Sequence, residues 1–91
     1  MRSVIVELTE SSLKPTEYRV LIRKKYVGLF PSTYTKIKLH SNDIEVMERT
    51  YNPKYPELSI GKWLRVHKEL KPGDEIIIEV IKPMTDYRIR K

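Results

Sequence analysis

The sequence predicts a mainly β domain with short helices, closed as a single small pseudobarrel of about six to seven strands. Three observations lead there. Several segments alternate apolar and polar residues with period two. Turn-forming residues cut the chain into short runs. One stretch, "GKWLRVHKELKPGDEIIIEV" from Gly61 to Val80, joins a Trp-led amphipathic turn to a Pro-Gly corner and an Ile run. The chain has 91 residues, which suits one domain over 1–91 with a modest core. Closure is the expected answer to the bare edges that so small a sheet would otherwise present.

The elements follow in order. Ser3 to Leu8, "SVIVEL", is β-branched and reads as a strand. "TESSLKPTE" follows as a polar loop containing Pro15. In "EYRVLIRK", Glu17 to Lys24, the residues Tyr18, Val20 and Ile22 face one way and Arg19, Leu21 and Arg23 the other, the pattern of a strand. Gly28 and Pro31 require a bend, and Ser32 or Thr33 can cap a short helical turn. Thr35 to His40 alternates, with Ile37 and Leu39 inward, and Ser41 to Asp43 supplies turn chemistry. Ile44 to Tyr51 is the hairpin partner, with Ile44 and Val46 set against Glu45 and Met47.

Asn52 to Glu57 holds two prolines and reads as a loop. A helix over about Ile60 to Leu70, capped by Ser59, places Trp63, Val66 and Leu70 on one face. Trp63 would close one end of the barrel. Lys71 to Asp74 is a tight turn, and Glu75 to Ile81 a strand buried on both faces except near Glu79. A short last strand is expected around Tyr87 to Arg90.

Composition narrows the class. Hydrophobic residues make up 40% and charged residues 33%, which places the chain with globular domains rather than disordered tails. Without cysteine there is no disulfide framework and no thiolate metal site. No apolar run approaches the roughly 20 residues that span a bilayer, and the apolar start meets Glu7 and Glu10 too soon for a signal peptide. An intracellular protein with no membrane partner is therefore expected. The absence of Ala and Gln beside many Ile, Lys and Glu hints at a thermophilic source, and an A+T-rich genome would give a similar composition. The formal net charge of +6 favours a polyanionic partner such as nucleic acid, or an anionic membrane surface.

Catalysis finds little support. His40 and His67 lie in different segments without neighbouring ligands. Asp74, Glu75, Glu79 and Lys82 resemble an acidic pair with a lysine, but Glu79 and Lys82 are three apart and point to opposite faces of a strand. There is no Gly-rich phosphate loop. No catalytic residue, metal, cofactor or small-molecule substrate is expected.

The stretch "LFPSTYTKIKL…IEVMERTYNPKYPELSIGKWLRVHKELKPGDEIIIEV" resembles the B-three-type DNA-binding pseudobarrel of plant transcription factors and restriction endonuclease effector domains. Phe30-Pro31 is similar to that family's first turn, Gly61-Lys62-Trp63 to its Gly-Trp, and Leu70 to Asp74 to its Leu-x-x-Gly-Asp corner. The resemblance covers about Glu17 to Ile81 and leaves the strand at Ser3 to Leu8 without a counterpart.

It implies two arms clamping the major groove of double-stranded DNA. The first would carry Arg23, Lys24, Lys25 and Tyr26, and the second Arg49, Tyr51, Asn52, Lys54 and Tyr55. The residue types suit this independently of the family. Arg pairs with guanine, Asn with adenine, and Lys with phosphate. The expected function is non-catalytic duplex binding by a regulator or accessory protein. The alternative is a small basic barrel that binds RNA or another protein, its tyrosines forming an interface.

Overall fold

The computed structural model describes residues 2–14 and 18–91. The expectations for Pro15 to Glu17 lie outside them. In chain order the elements are β1 (Ser3–Glu7), α1 (Glu10–Leu13), β2 (Arg19–Leu21), a 3-10 helix (Lys24–Leu29), β3 (Thr35–His40), β4 (Met47–Tyr51), β5 (Glu57–Ser59), α2 (Gly61–Val66), β6 (Glu75–Lys82) and β7 (Asp86–Arg90).

Mainly β with short helices is what forms, but the expected closed pseudobarrel does not. The strands make two open sheets. One has five strands in the order β1-β6-β7-β3-β4, and the other is the ribbon β2-β5. All pairings are antiparallel except β3 with β7, which is parallel. The break falls after β4, where Pro53 and Pro56 have no N–H to donate to a ladder. The chain turns there, with Tyr55 N–H donating to Asn52 O at 3.0 Å, and its next strand pairs with β2 instead. Across the gap between β4 and β5 a side chain replaces the ladder, for Arg49 Nε donates to Ser59 O at 3.0 Å.

One face of the large sheet carries the core. Val4, Val6, Ile76, Ile78, Tyr87, Ile89, Ile37 and Leu39 are buried there. Leu58, Ile60, Trp63 and Phe30, from the other elements, join them in a single cluster. Among the described residues the opposite face has no covering layer. β6 accordingly alternates, with Ile77 half-buried and Ile81 exposed, rather than being buried on both faces as expected. The charges there pair locally, as in Arg90 with Glu79 at 3.1 Å and Lys36 with Glu48 at 3.8 Å.

Three local expectations change. The segment after Leu8 is not all loop, because Thr9 and Ser12 form a reciprocal capping box that starts α1. In β4 the phase is reversed. Leu39 lies opposite Met47, so Met47 and Tyr51 turn inward while Val46 is exposed. The predicted long helix shrinks to α2. Its N-cap is Ile60, which makes no side-chain cap, while Ser59 belongs to β5 and pairs with Arg19.

Trp63 is fully buried, whereas Val66 is 53% exposed. Gly61 packs closely on Tyr18, since a Cβ there would stand 3.0 Å from its ring and the ring would have to give by a few tenths of an ångström. Tyr18 itself takes an uncommon positive φ of 44° to place that ring. Gly73, at φ 97°, makes the corner before β6, and its N–H donates to Leu8 O at 2.8 Å. The corner quoted at the outset thus ties β6 to the end of β1 and serves the sheet rather than a ligand.

Candidate binding groove

The chain leaves β2 through Arg23 into the 3-10 helix, and Phe30-Pro31 ends that helix in extended backbone. The step delivers the chain's only phenylalanine to the core. Phe30 stacks on Tyr51 of β4 and Tyr87 of β7, with ring centroids 5.1 and 4.6 Å away. Aromatic stacking of this kind adds roughly 0.5–1.5 kcal/mol per pair beyond the area buried. Above this cluster opens a groove of about 720 Å³, lined by Val27 and Gly28, Phe30 to Thr33, Thr35, Tyr51, Pro53, Met84 and Thr85.

The two phenols differ. Tyr87 Oη donates to Leu29 O at 2.7 Å. Burial, helped by the nearby Tyr51 phenol, pushes its pKa up to about 12, against an opposing hydrogen bond at Met84. Tyr51 is buried, which raises its pKa too, and its hydroxyl has no hydrogen-bond partner among the described residues. Both rings therefore stay neutral at physiological pH, and Tyr51 holds an unused donor.

The groove's lip is strained. Between β6 and β7 the chain turns over Lys82 to Thr85, with Thr85 N–H donating to Lys82 O at 3.1 Å. Pro83 and then Met84 at φ 69° follow the type II turn pattern, whose third position normally takes Gly. A non-glycine residue in this conformation costs on the order of 1 kcal/mol. Met84 nonetheless presents a long apolar side chain, 41% exposed, beside the groove.

The residues expected to grip DNA are placed otherwise. Arg23 caps the 3-10 helix with its backbone, and Lys24 and Lys25 are exposed on that helix. Lys25 Nζ lies 5.0 Å from the ring of Tyr26, which is half-buried against the core. Arg49 spends its guanidinium on Ser59 O and Glu48 O. Tyr51 is in the core. Asn52 Oδ1 accepts from Lys54 N at 3.0 Å, which shapes the turn. Lys54 and Tyr55 are exposed side by side.

These placements correct the expected function. Two basic arms gripping a major groove are not evident among the described residues. The ion pairs are scattered instead, Arg19–Glu57 and Lys91–Glu69 lying far apart in the chain from Lys36–Glu48. Double-stranded DNA as the partner, and transcription regulation as the role, have no support in an open, non-barrel fold. The histidines serve in pairs with carboxylates, His40 with Asp86 and His67 with Asp43, each at 2.7 Å. Among the described residues no three His, Asp or Glu side chains gather where a metal would sit. No helix among them is long and apolar enough to cross a membrane.

The groove residues Phe30, Thr35, Met84 and Thr85 were not singled out as a site from sequence. The available signal was Pro83-Met84, a turn proline followed by a bulky residue where glycine is usual. Compared with family models, curated proteins and solved structures, the chain matches none. The resemblance to the B-three-type pseudobarrel is thereby overturned: its Pro turn and Gly-Asp corner are common β-protein devices, and here they join strands of open sheets.

Proposed function

We propose that this protein is a binding domain without chemistry of its own, which takes an apolar side chain of a partner polypeptide into the groove above Phe30. The observation that carries the reading is Met84. A strained turn holds an apolar side chain at the lip of an apolar cavity, and strain of this kind gathers at sites where ligands are clamped. Two features support it. Tyr34 and Tyr55, 72% and 60% exposed, belong to the loops that line the groove, and tyrosine is enriched at protein interfaces. The lining offers Ser, Thr and Tyr hydroxyls but no His, Asp, Glu or Lys that would exchange protons near neutral pH.

The test is a selection of short random displayed peptides on the native protein, followed by a counter-screen on Gly28→Trp. Gly28 lines the groove, and a Cβ there meets nothing within 4 Å, so a bulky side chain can be added at its wall without a clash at Cβ. Peptides carrying an apolar anchor should be selected and should lose binding to the variant. Selected peptides that bind Gly28→Trp as well as the native chain, or a selection that yields none, would refute the groove as the binding site.

A further inference from the structure

We infer that the occupant of the groove is an extended, acidic and apolar peptide segment that adds as a strand to the open edge of β3. This rests on the reading of the groove given above and specifies its ligand.

The edge comes from a mismatch in strand length. β3 runs from Thr35, but β7 pairs with it only from Lys38 to His40. Lys38 N–H donates to Thr85 O at 2.8 Å, where β7 gives way to the Lys82–Thr85 turn. Successive amides along a strand point to opposite edges, so the Lys36 amide lies on the same edge as that of Lys38. It sits beyond the point where β7 stops. The amides of Thr35 and Ile37 face the other way, toward β4, where those residues pair with Tyr51 and Arg49. An unpaired stretch of strand therefore opens beside Thr35 and Thr85, which both line the groove. An unpaired edge is a template for another chain. Here it adjoins a cavity able to take a side chain from the added strand, the arrangement by which extended peptides gain both affinity and specificity.

Charge identifies the kind of segment. Lys25, Lys36, Lys54 and Lys82 stand within two positions of groove-lining residues. The only acid that near in the chain is Asp86, which is held by His40 at 2.7 Å. Among the described residues Lys36 has one long, exposed ion pair, with Glu48 at 3.8 Å. Acidic residues flanking an apolar anchor would meet these lysines, and a basic segment would be repelled.

The peptides selected on the native protein supply the probe. Their sequences should carry an apolar residue with Asp or Glu in excess over Lys and Arg around it. The tightest is then synthesised with its backbone amides N-methylated one at a time. Strand addition requires that methylation at one position, the amide that donates to the Lys36 carbonyl, weaken binding by about tenfold, while methylation at the neighbouring positions is tolerated. On titration, the Lys36 amide resonance should shift and gain protection from hydrogen exchange. Lys36→Glu should weaken the same peptide, while circular dichroism shows the fold retained.

Selected peptides rich in Lys and Arg, uniform tolerance of N-methylation, or an unmoved Lys36 amide would each overturn strand addition. If those peptides still lost binding to Gly28→Trp, the groove would survive as the site and only the edge would be wrong. If Gly28→Trp changed nothing, both would fail.

Discussion

The hydroxyl of Tyr87 reaches out of β7 to donate to the carbonyl of Leu29, at the end of the 3-10 helix, at 2.7 Å. It fixes one wall of the groove to the middle of the large sheet. Tyr51 stacks on the same Phe30 ring but gives its hydroxyl to nothing among the described residues. Truncating each phenol should therefore have opposite results. Tyr87→Phe strands the Leu29 carbonyl and should cost about 1–2 kcal/mol. Tyr51→Phe removes an unsatisfied buried group and should be neutral or stabilise by up to about 1 kcal/mol. Urea unfolding of the two variants measures the difference, and equal losses would remove the distinction between them.

The same phenols predict alkaline behaviour. Tyr87 ionises near 10.0 when unfolded but only at about 12 in the fold, chiefly because of burial. A raised folded value means that its contribution to stability is complete below about pH 10.0 and is lost as pH climbs toward about 12. In tyrosinate absorbance the final rise should coincide with unfolding. Tyr87→Phe should move unfolding to higher pH relative to its own neutral stability.

The acid side has a separate source. The hydrogen bond from His40, then that from Thr85, holds the Asp86 carboxyl below its ordinary value of 3.8. A lowered folded value contributes stability that is complete above 3.8 and disappears as pH falls through it. His40→Phe should thus be less stable than the native chain at pH well above 3.8, and the gap should narrow below it. A gap that stayed constant through the acid range would show that the pair does not set this behaviour.

Met84 offers a trade between stability and binding. Met84→Gly relieves the positive φ but adds backbone freedom to the unfolded chain, so stability should be unchanged or rise by up to about 1 kcal/mol. Binding of the selected peptides should weaken, because the lip of the groove is lost. A variant that lost stability and kept binding would reverse the role given to this residue.

Trp63 is the largest of the fully buried side chains. Trp63→Ala should cost about 3–5 kcal/mol, a large share of the stability of so small a domain. Its ring nitrogen has no partner among the described residues, so Trp63→Phe should cost clearly less than the alanine change. Thermal unfolding of both variants would order them.

Much of this fold was legible because period and residue type report local geometry. The β-branched run at Val4 to Val6, the alternation of Ile37 and Leu39, and the Gly73 corner declared themselves. What failed was pairing. Alternation identifies a strand but names no neighbour, so nothing in "MERTY" showed that Arg49 would bridge to Ser59 by its side chain instead of a ladder. Phase failed in β4 for a related reason: Val46 and Met47 are both apolar, and only the register against Leu39 decides between them. The groove was invisible because Phe30, Tyr51 and Met84 come from three distant segments. The charged residues that drew attention, Arg49 and Asn52, carry structural hydrogen bonds that a list of side-chain types does not reveal.

β7 is seventh in sequence among the strands but third across the large sheet, between β6 and β3. During synthesis the β3–β4 hairpin can form early, and β1 must wait for β6. Neither half can join the other until Tyr87 and Ile89 have left the ribosome. Contacts this distant along the chain slow folding. In the interval the apolar faces of two half-sheets, each with a bare edge, stand open to other molecules. Changes that weaken β7 should therefore reduce the yield of soluble protein in the cell by more than their effect on equilibrium stability would suggest.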